Sequence, residues 1–232
     1  MRHFSRIIQQ IIFDLADNRK KEYSPEGKMI GPHGGHYDYR PDNTSINSSK
    51  PSSGITKAVK MGLIKPGDRV LDYGGGKFDA GKNHIESSIE GTKVFIFDPF
   101  SRSKEHNESV MGEFKDKKAD IVMNHNVLNV IPTPEERREV ITSAFDHVKP
   151  GGSLLLTVYV GNKSGVGNKV VKKNGWNWQE NRPTADYVDE VQKALPDAKV
   201  VKKGELKHEG KNPFRGLRSC RAASTLNRHR LV

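Results

Sequence analysis

A doubly wound, mostly parallel α/β sheet is the fold class this chain predicts, and three observations predict it. Short apolar runs at Arg69 to Tyr73, Lys93 to Asp98 and Asp120 to Asn124 alternate with segments of helical periodicity. The run Val70-Leu71-Asp72-Tyr73 breaks into Gly74-Gly75-Gly76, and the run Val94-Phe95-Ile96-Phe97 ends in Asp98. The third run, Asp120-Ile121-Val122-Met123-Asn124, is apolar without alternation, as expected of a strand covered on both faces.

The elements follow in order. Phe4, Ile7, Ile8, Ile11, Ile12 and Leu15 recur at helical spacing and predict an N-terminal amphipathic helix. From Lys20 to Ser53 the composition turns to Gly, Pro, Ser, Asn and Tyr, which reads as a long loop or lid. Ile55, Ala58, Val59 and Leu63 form a helical stripe that Gly62 and Pro66-Gly67 bring to an end. A weaker helix, Ala80 to Ile89, joins the first two strands.

A third strand is harder to place between Asp98 and Asp120, and Ser109 to Phe114 is the candidate. Thr133, Pro134 and Glu136 carry the marks of a capped helix start, followed by a buried stripe of Val140, Ile141, Ala144, Phe145 and Val148. Lys149-Pro150-Gly151-Gly152 stops that helix, and Ser153 to Val160 is the next strand. A helix from Thr184 to Leu195 and two strands, Lys199 to Lys203 and Glu205 to His208, complete the expected core. The organisation is then an extension over residues 1–53, a domain over 54–210 and a basic tail over 211–232 with six Lys or Arg and no acid.

Charge narrows the partners. The net charge of +11 favours polyanions, nucleic acid first and an anionic membrane surface second. No apolar run reaches membrane-spanning length, so a soluble protein is expected, and no membrane is counted among its partners. Cys220 is the single cysteine, which excludes disulfides and cysteine-rich zinc sites and fits a reducing cytoplasm. His33 and His36 lack an acidic or cysteine partner nearby, so no metal site is expected. Oligomeric state is not encoded in any feature of this kind.

The glycine loop selects among cofactors. A dinucleotide fingerprint needs a third glycine where this chain has Asp79, and Asp72 would repel a pyrophosphate. An acid there suits a cationic ligand without phosphate. S-adenosylmethionine, with its ammonium and sulfonium, meets that description.

On these residues the chain resembles the class I S-adenosylmethionine-dependent methyltransferases, which have a Rossmann-like fold. The matching segments are Val70 to Gly76, Ile96-Phe97-Asp98-Pro99, Ala119 to Asn129 and Val148 to Leu154, over a region from Ile55 to Val160. More loosely, Asn126 to Ile131 is similar to methyltransferases of phages and DNA-modification gene clusters. The resemblance implies that Asp72 receives the methionine ammonium and that Tyr73, Gly74, Gly75 and Gly76 line the methionine part. It implies further that Asp98 takes the ribose hydroxyls, that Pro99 flanks the adenine, and that Asn124, His125 and Asn126 lie near the transferable methyl. Phe78 stands where the family has its last loop glycine, so the loop bends differently or Phe78 covers the cofactor. Lys50 and Ser53 are weaker candidates for the methionine carboxylate.

For the acceptor, the absence of a cysteine after the fourth-strand motif excludes the usual carbon-5 cytosine chemistry. Asn126 and Asn129 replace the Asp/Asn-Pro-Pro-aromatic segment of amino-directed DNA enzymes and are the catalytic candidates. His125 reads as a general base or a packing residue. Trp176 and Trp178 are expected to diverge to different surfaces, at least one in the core and one free to stack on a base or cover the substrate, beside basic Lys169, Lys172, Lys173 and Arg182. A nucleic-acid or nucleotide methyltransferase is the leading expectation. A small-molecule or protein methyltransferase and a non-catalytic binding protein of the same fold are the alternatives.

Overall fold

The computed structural model describes residues 29–30, 36–37, 50–162, 164–172, 175–202 and 218–221. The predicted N-terminal helix and the strand Glu205 to His208 lie outside them. Two short strands, β1 (Met29–Ile30) and β2 (His36–Tyr37), pair antiparallel within the predicted loop.

The remaining elements are α1 (Ser53–Lys60), β3 (Arg69–Tyr73), α2 (Ala80–Ser88), β4 (Lys93–Phe97), α3 (Lys104–Glu113) and β5 (Ala119–His125). After them come α4 (Pro134–Asp146), β6 (Val148–Thr157), β7 (Asn168–Lys172), β8 (Gly175–Gln179), α5 (Tyr187–Ala194), β9 (Lys199–Lys202) and β10 (Arg218–Arg221). A six-stranded sheet runs in the order β4-β3-β5-β6-β10-β9. Its first four strands are parallel, and β10 is antiparallel to both its neighbours.

Period-two alternation feeds two apolar layers. Val70, Val94, Ile121, Met123 and Leu155 pack with Ile55, Ala58 and Ile85 under α1 and α2. Leu71, Tyr73, Phe97, Val122, Leu154 and Leu156 face α3, α4 and α5. The doubly wound class is therefore as expected.

Local signals explain the helix starts. Ile55 donates to Ser52 Oγ at 3.3 Å, capping α1. Glu136 N donates to Thr133 Oγ1 at 3.3 Å, and Pro134 takes the first turn of α4, as read from the sequence. Three expectations need correction. Ser109 to Phe114 is not a strand: Ser103 Oγ accepts from His106 N, and the segment is mostly α3. Among the described residues β4 is accordingly an edge strand. The strand after α4 begins at Val148 rather than Ser153, with a register shift opposite Ala119 and Ile121. The basic segment after Lys211 is not only a tail, because Arg218–Arg221 lies between β6 and β9, with Ser219 opposite both Leu155 and Val201. No helix among the described residues is long and apolar enough to cross a membrane.

Candidate functional site at the glycine loop

The loop after β3 is built by backbone contacts. Gly74 N and Gly75 N donate to Phe97 O at 2.7 and 3.3 Å, tying the loop to β4. Gly74 and Gly76 hold φ of 87° and 77°, the left-handed region where glycine is favoured. A Cβ on Gly74 would lie 2.5 Å from Val127 Cγ2, and one on Gly75 would lie 2.7 Å from the Asp72 carboxylate. The protein's own packing thus requires these two glycines.

Gly76 is held from both sides. Its N–H donates to Asp98 Oδ2 at 2.8 Å, and its carbonyl accepts from Arg102 Nε at 2.7 Å. Arg102 Nη2 also reaches Asp79 Oδ1 at 2.8 Å. This clasp gives Asp79 a partner in the place of the missing glycine. Neither Arg102 nor its role carries a sequence signal, since the contact joins residues 26 positions apart.

Asp98 also accepts from Phe100 N and Ser101 N on Oδ1, at 3.0 and 2.8 Å. Pro99 opens the turn that these amides form. Buried Asn107 brackets the Asp98 peptide, accepting from Asp98 N at 3.1 Å and donating to Asp98 O at 3.0 Å. A carboxylate offers about four acceptor positions. All four on Asp98 are engaged, by the N–H groups of Gly76, Phe100 and Ser101 and by the Ser101 hydroxyl. Burial raises its pKa against the pull of these amides.

Asp72 differs. It is 3% exposed, and its Oδ1 has no hydrogen-bond partner. Burial first, and the nearby Asp98 charge second, push its pKa up to about 7. A buried acceptor left open in this way is costly unless a ligand completes it. Tyr73 points to the other side of the sheet, as strand parity demands. Its ring packs 4.9 Å from Phe97, its hydroxyl meets Ser143, and burial raises its pKa. Only its backbone belongs to the loop.

At the end of β5, Asn124 Nδ2 donates to Tyr73 O at 2.9 Å, and its buried Oδ1 has no partner. His125 Nδ1 lies 2.6 Å from Thr157 Oγ1, with Nε2 unpartnered. Burial pulls this ring's pKa down to about 4, so it is neutral at pH 7. A Cβ on Gly54 would sit 2.8 Å from His125 Nδ1, so α1 covers the imidazole. Asn126 follows with φ of 59°, the only non-glycine in the left-handed region among the described residues. Its N–H donates to Thr157 O at 2.8 Å. Strain of this kind is characteristic of functional sites.

Asn129 does not join them. It is 2% exposed, its carbonyl accepts from Glu180 N at 2.7 Å, and its Oδ1 accepts from Tyr159 N at 3.3 Å. Its Nδ2 donates to Gln179 Oε1 at 3.4 Å. The amide fastens the β7–β8 hairpin to the turn that follows β5, with both of its heteroatoms engaged. Of the two catalytic candidates, Asn126 alone stands at the loop mouth. Phe78 is 41% exposed beneath Lys77, whose Nζ lies 5.0 Å from the ring centroid. Ser53 is the exposed first residue of α1, and its neighbour Ser52 makes the cap.

Trp176 and Trp178 share one face of β8, because they are two residues apart and opposite Val171 and Lys169. The expectation that they diverge is corrected by that parity.

Comparison with known proteins adds the following. A family model described as a methyltransferase domain matches residues 46–193. No curated protein matches the chain. Among solved structures, DesVI of Streptomyces venezuelae aligns with a TM-score of 0.46 at 13% identity, over 74% of this chain and 91% of its own. The sugar N-methyltransferase KedS8 from a Streptoalloteichus species aligns with a TM-score of 0.49 at 12% identity, over 76% and 89%. Phosphoethanolamine N-methyltransferase 2 of Haemonchus contortus, in complex with S-adenosyl-L-methionine, aligns with a TM-score of 0.43 at 19% identity, over 68% and 40%.

Proposed function

Since the chain belongs to the methyltransferase-domain family, we propose that it transfers the methyl group of S-adenosylmethionine to a nucleic acid or nucleotide. The observation that carries the cofactor is the unpartnered Oδ1 of buried Asp72 at the base of the glycine loop. An ammonium supplies the missing donor and the compensating charge together, and a phosphate supplies neither. The cofactor brings an electrophilic methyl on a sulfonium whose leaving group is a neutral thioether.

The chain's own residues position and enclose. Asp72 holds the ammonium end, and the Gly74 to Gly76 backbone is fixed by Phe97, Asp98 and Arg102 before any ligand arrives. Asp98 is already bonded to Gly76, Phe100 and Ser101, so a ribose hydroxyl reaches its carboxylate by taking the place of the Ser101 hydroxyl. Asn126, held in the left-handed region at the end of β5, accepts a hydrogen from the acceptor's attacking group. Alignment of this kind supplies much of the rate in a displacement that needs no acid. The net charge of +11 supports a polyanionic acceptor.

Titration calorimetry with S-adenosylmethionine, on the wild type and Asp72→Asn, tests the cofactor reading. Micromolar binding that weakens at least tenfold in the isosteric variant supports it. Equal binding by both proteins removes Asp72 from the site. Transfer of labelled methyl to oligonucleotides or nucleotides, and not to lysate metabolites or protein, tests the acceptor.

A further inference from the structure

The β7–β8 hairpin leaves the sheet directly after β6 and is fastened at its base. Glu180 N and Gln179 reach Asn129, and Gln179 Nε2 donates to Tyr159 O at 3.3 Å. Buried Arg137 grips Glu190 at 2.7 and 3.0 Å, and Arg182 adds a third bond to Glu190 at 2.7 Å. Glu180 stands 3.1 Å from Arg182 and 3.7 Å from Arg137. The hairpin is therefore anchored at the end of the sheet where Asn126 lies.

Its two tryptophans have different tasks. Trp178 Nε1 donates to Glu180 Oε2 at 3.0 Å, and its ring is pressed so closely on Gly167 that a Cβ there would lie 1.9 Å from Cζ2. Trp178 is structural. Trp176, on the same face, has exposed Lys169 above its ring, with Nζ 4.3 Å from the centroid. Residues 161–179 contain four lysines and no acid. Tyr159, at the base, is 61% exposed.

We propose that this hairpin is a binding surface for single-stranded nucleic acid, with a base stacked on Trp176 and Lys169 paired to a phosphate. The proposal rests on the nucleic-acid reading of the acceptor given above. An aromatic ring with a lysine over its face fits a strand that offers both a base to stack and a phosphate to take up the cation. A duplex hides its base faces, and an acidic peptide offers charge without a planar ring.

The test uses the full chain and a short fluorescently labelled oligothymidylate, with binding followed by anisotropy over a range of salt. Trp176→Ala is expected to weaken binding about tenfold, and Trp176→Phe to restore most of it. Lys169→Ala is expected to flatten the slope of log affinity against log salt by about 0.7. S-adenosylmethionine affinity, read by calorimetry in the same variants, is expected to stay at the wild-type value. Oligothymidylate binding that ignores both Trp176 variants overturns the proposal, and so does equal binding of polyglutamate or duplex. If cofactor binding persists in that case, the methyltransferase reading stands without the hairpin. If oligothymidylate binding depends on Trp176 while the wild type binds no S-adenosylmethionine, the hairpin stands and the methyltransferase reading falls.

Discussion

The glycine loop and the hairpin flank one end of the same sheet, yet they are made by opposite means. The loop is shaped by main-chain donors, left-handed glycines and two buried carboxylates. The hairpin is held mostly by side chains, beside one main-chain bond from Glu180 N to Asn129 O: the Asn129 amide, the indole of Trp178, and the Arg137, Arg182, Glu180 and Glu190 cluster. A backbone-built loop tolerates few substitutions at its glycines and many around them. A side-chain-built anchor fails wherever one partner is removed.

Four measurements sharpen or break that contrast. The largest effect is expected from Arg137→Ala, which strips a buried cation from Glu190 and from the Ile131 carbonyl. A loss of about 3 kcal/mol in urea unfolding is expected, with S-adenosylmethionine affinity kept by the folded fraction. Gly75→Ala comes next, at about 2 kcal/mol, because its Cβ meets Asp72 and Ile96 inside 3 Å. In calorimetry this variant is expected to lose cofactor binding while oligonucleotide binding survives. Loss of both functions in either variant would mean that the two regions are one unit.

The third concerns pH. Asp72 stays protonated up to about pH 7 in the native state but ionises near 3.8 when unfolded. The native state therefore holds more protons between those values, and this residue's contribution to stability falls as pH rises through them. An ammonium ligand favours the ionised form, so affinity climbs as pH approaches about 7 and levels off above it. Asp72→Asn is expected to flatten both curves, and an unchanged affinity profile in the variant would remove Asp72 as the titrating group. The smallest effect is expected from Asp79→Asn. Its ion pair with Arg102 lies where Asp79 is 52% exposed, so a loss under about 1 kcal/mol is expected in the same unfolding assay. A larger loss would make the clasp a principal support of the loop.

The contrast also explains what could be read from the chain. Asp72, the three glycines and Asp98 follow one another along two strands and a turn, so local pattern placed them. The capped start of α4 at Thr133 and Pro134 was legible for the same reason. Tyr73 was readable in principle, since parity with Leu71 turns its ring to the far face, and so was the shared face of Trp176 and Trp178. Asn129 was not, because its partners Glu180 and Gln179 come about fifty residues later. Arg102 was hidden likewise, and α3 replaced an expected strand because its cap, Ser103, outweighs a short apolar patch. Pattern finds residues held by neighbours in sequence, and misses those that only tertiary contact selects.

The place of β10 has a consequence for how the molecule is made. Among the described residues this strand is the last in chain order, yet it sits inside the sheet, and β9 pairs there with β10 alone. While the chain is being synthesised, the pairings that β10 makes with β6 and with β9 wait until Arg218–Arg221 emerges. Forming the first of them joins Ser153 to Leu156 with residues more than sixty positions away, a late and non-local step of the kind that slows folding. Truncation before this strand would leave a templating edge exposed to other chains, and nascent protein would be most vulnerable to aggregation just before synthesis reaches it.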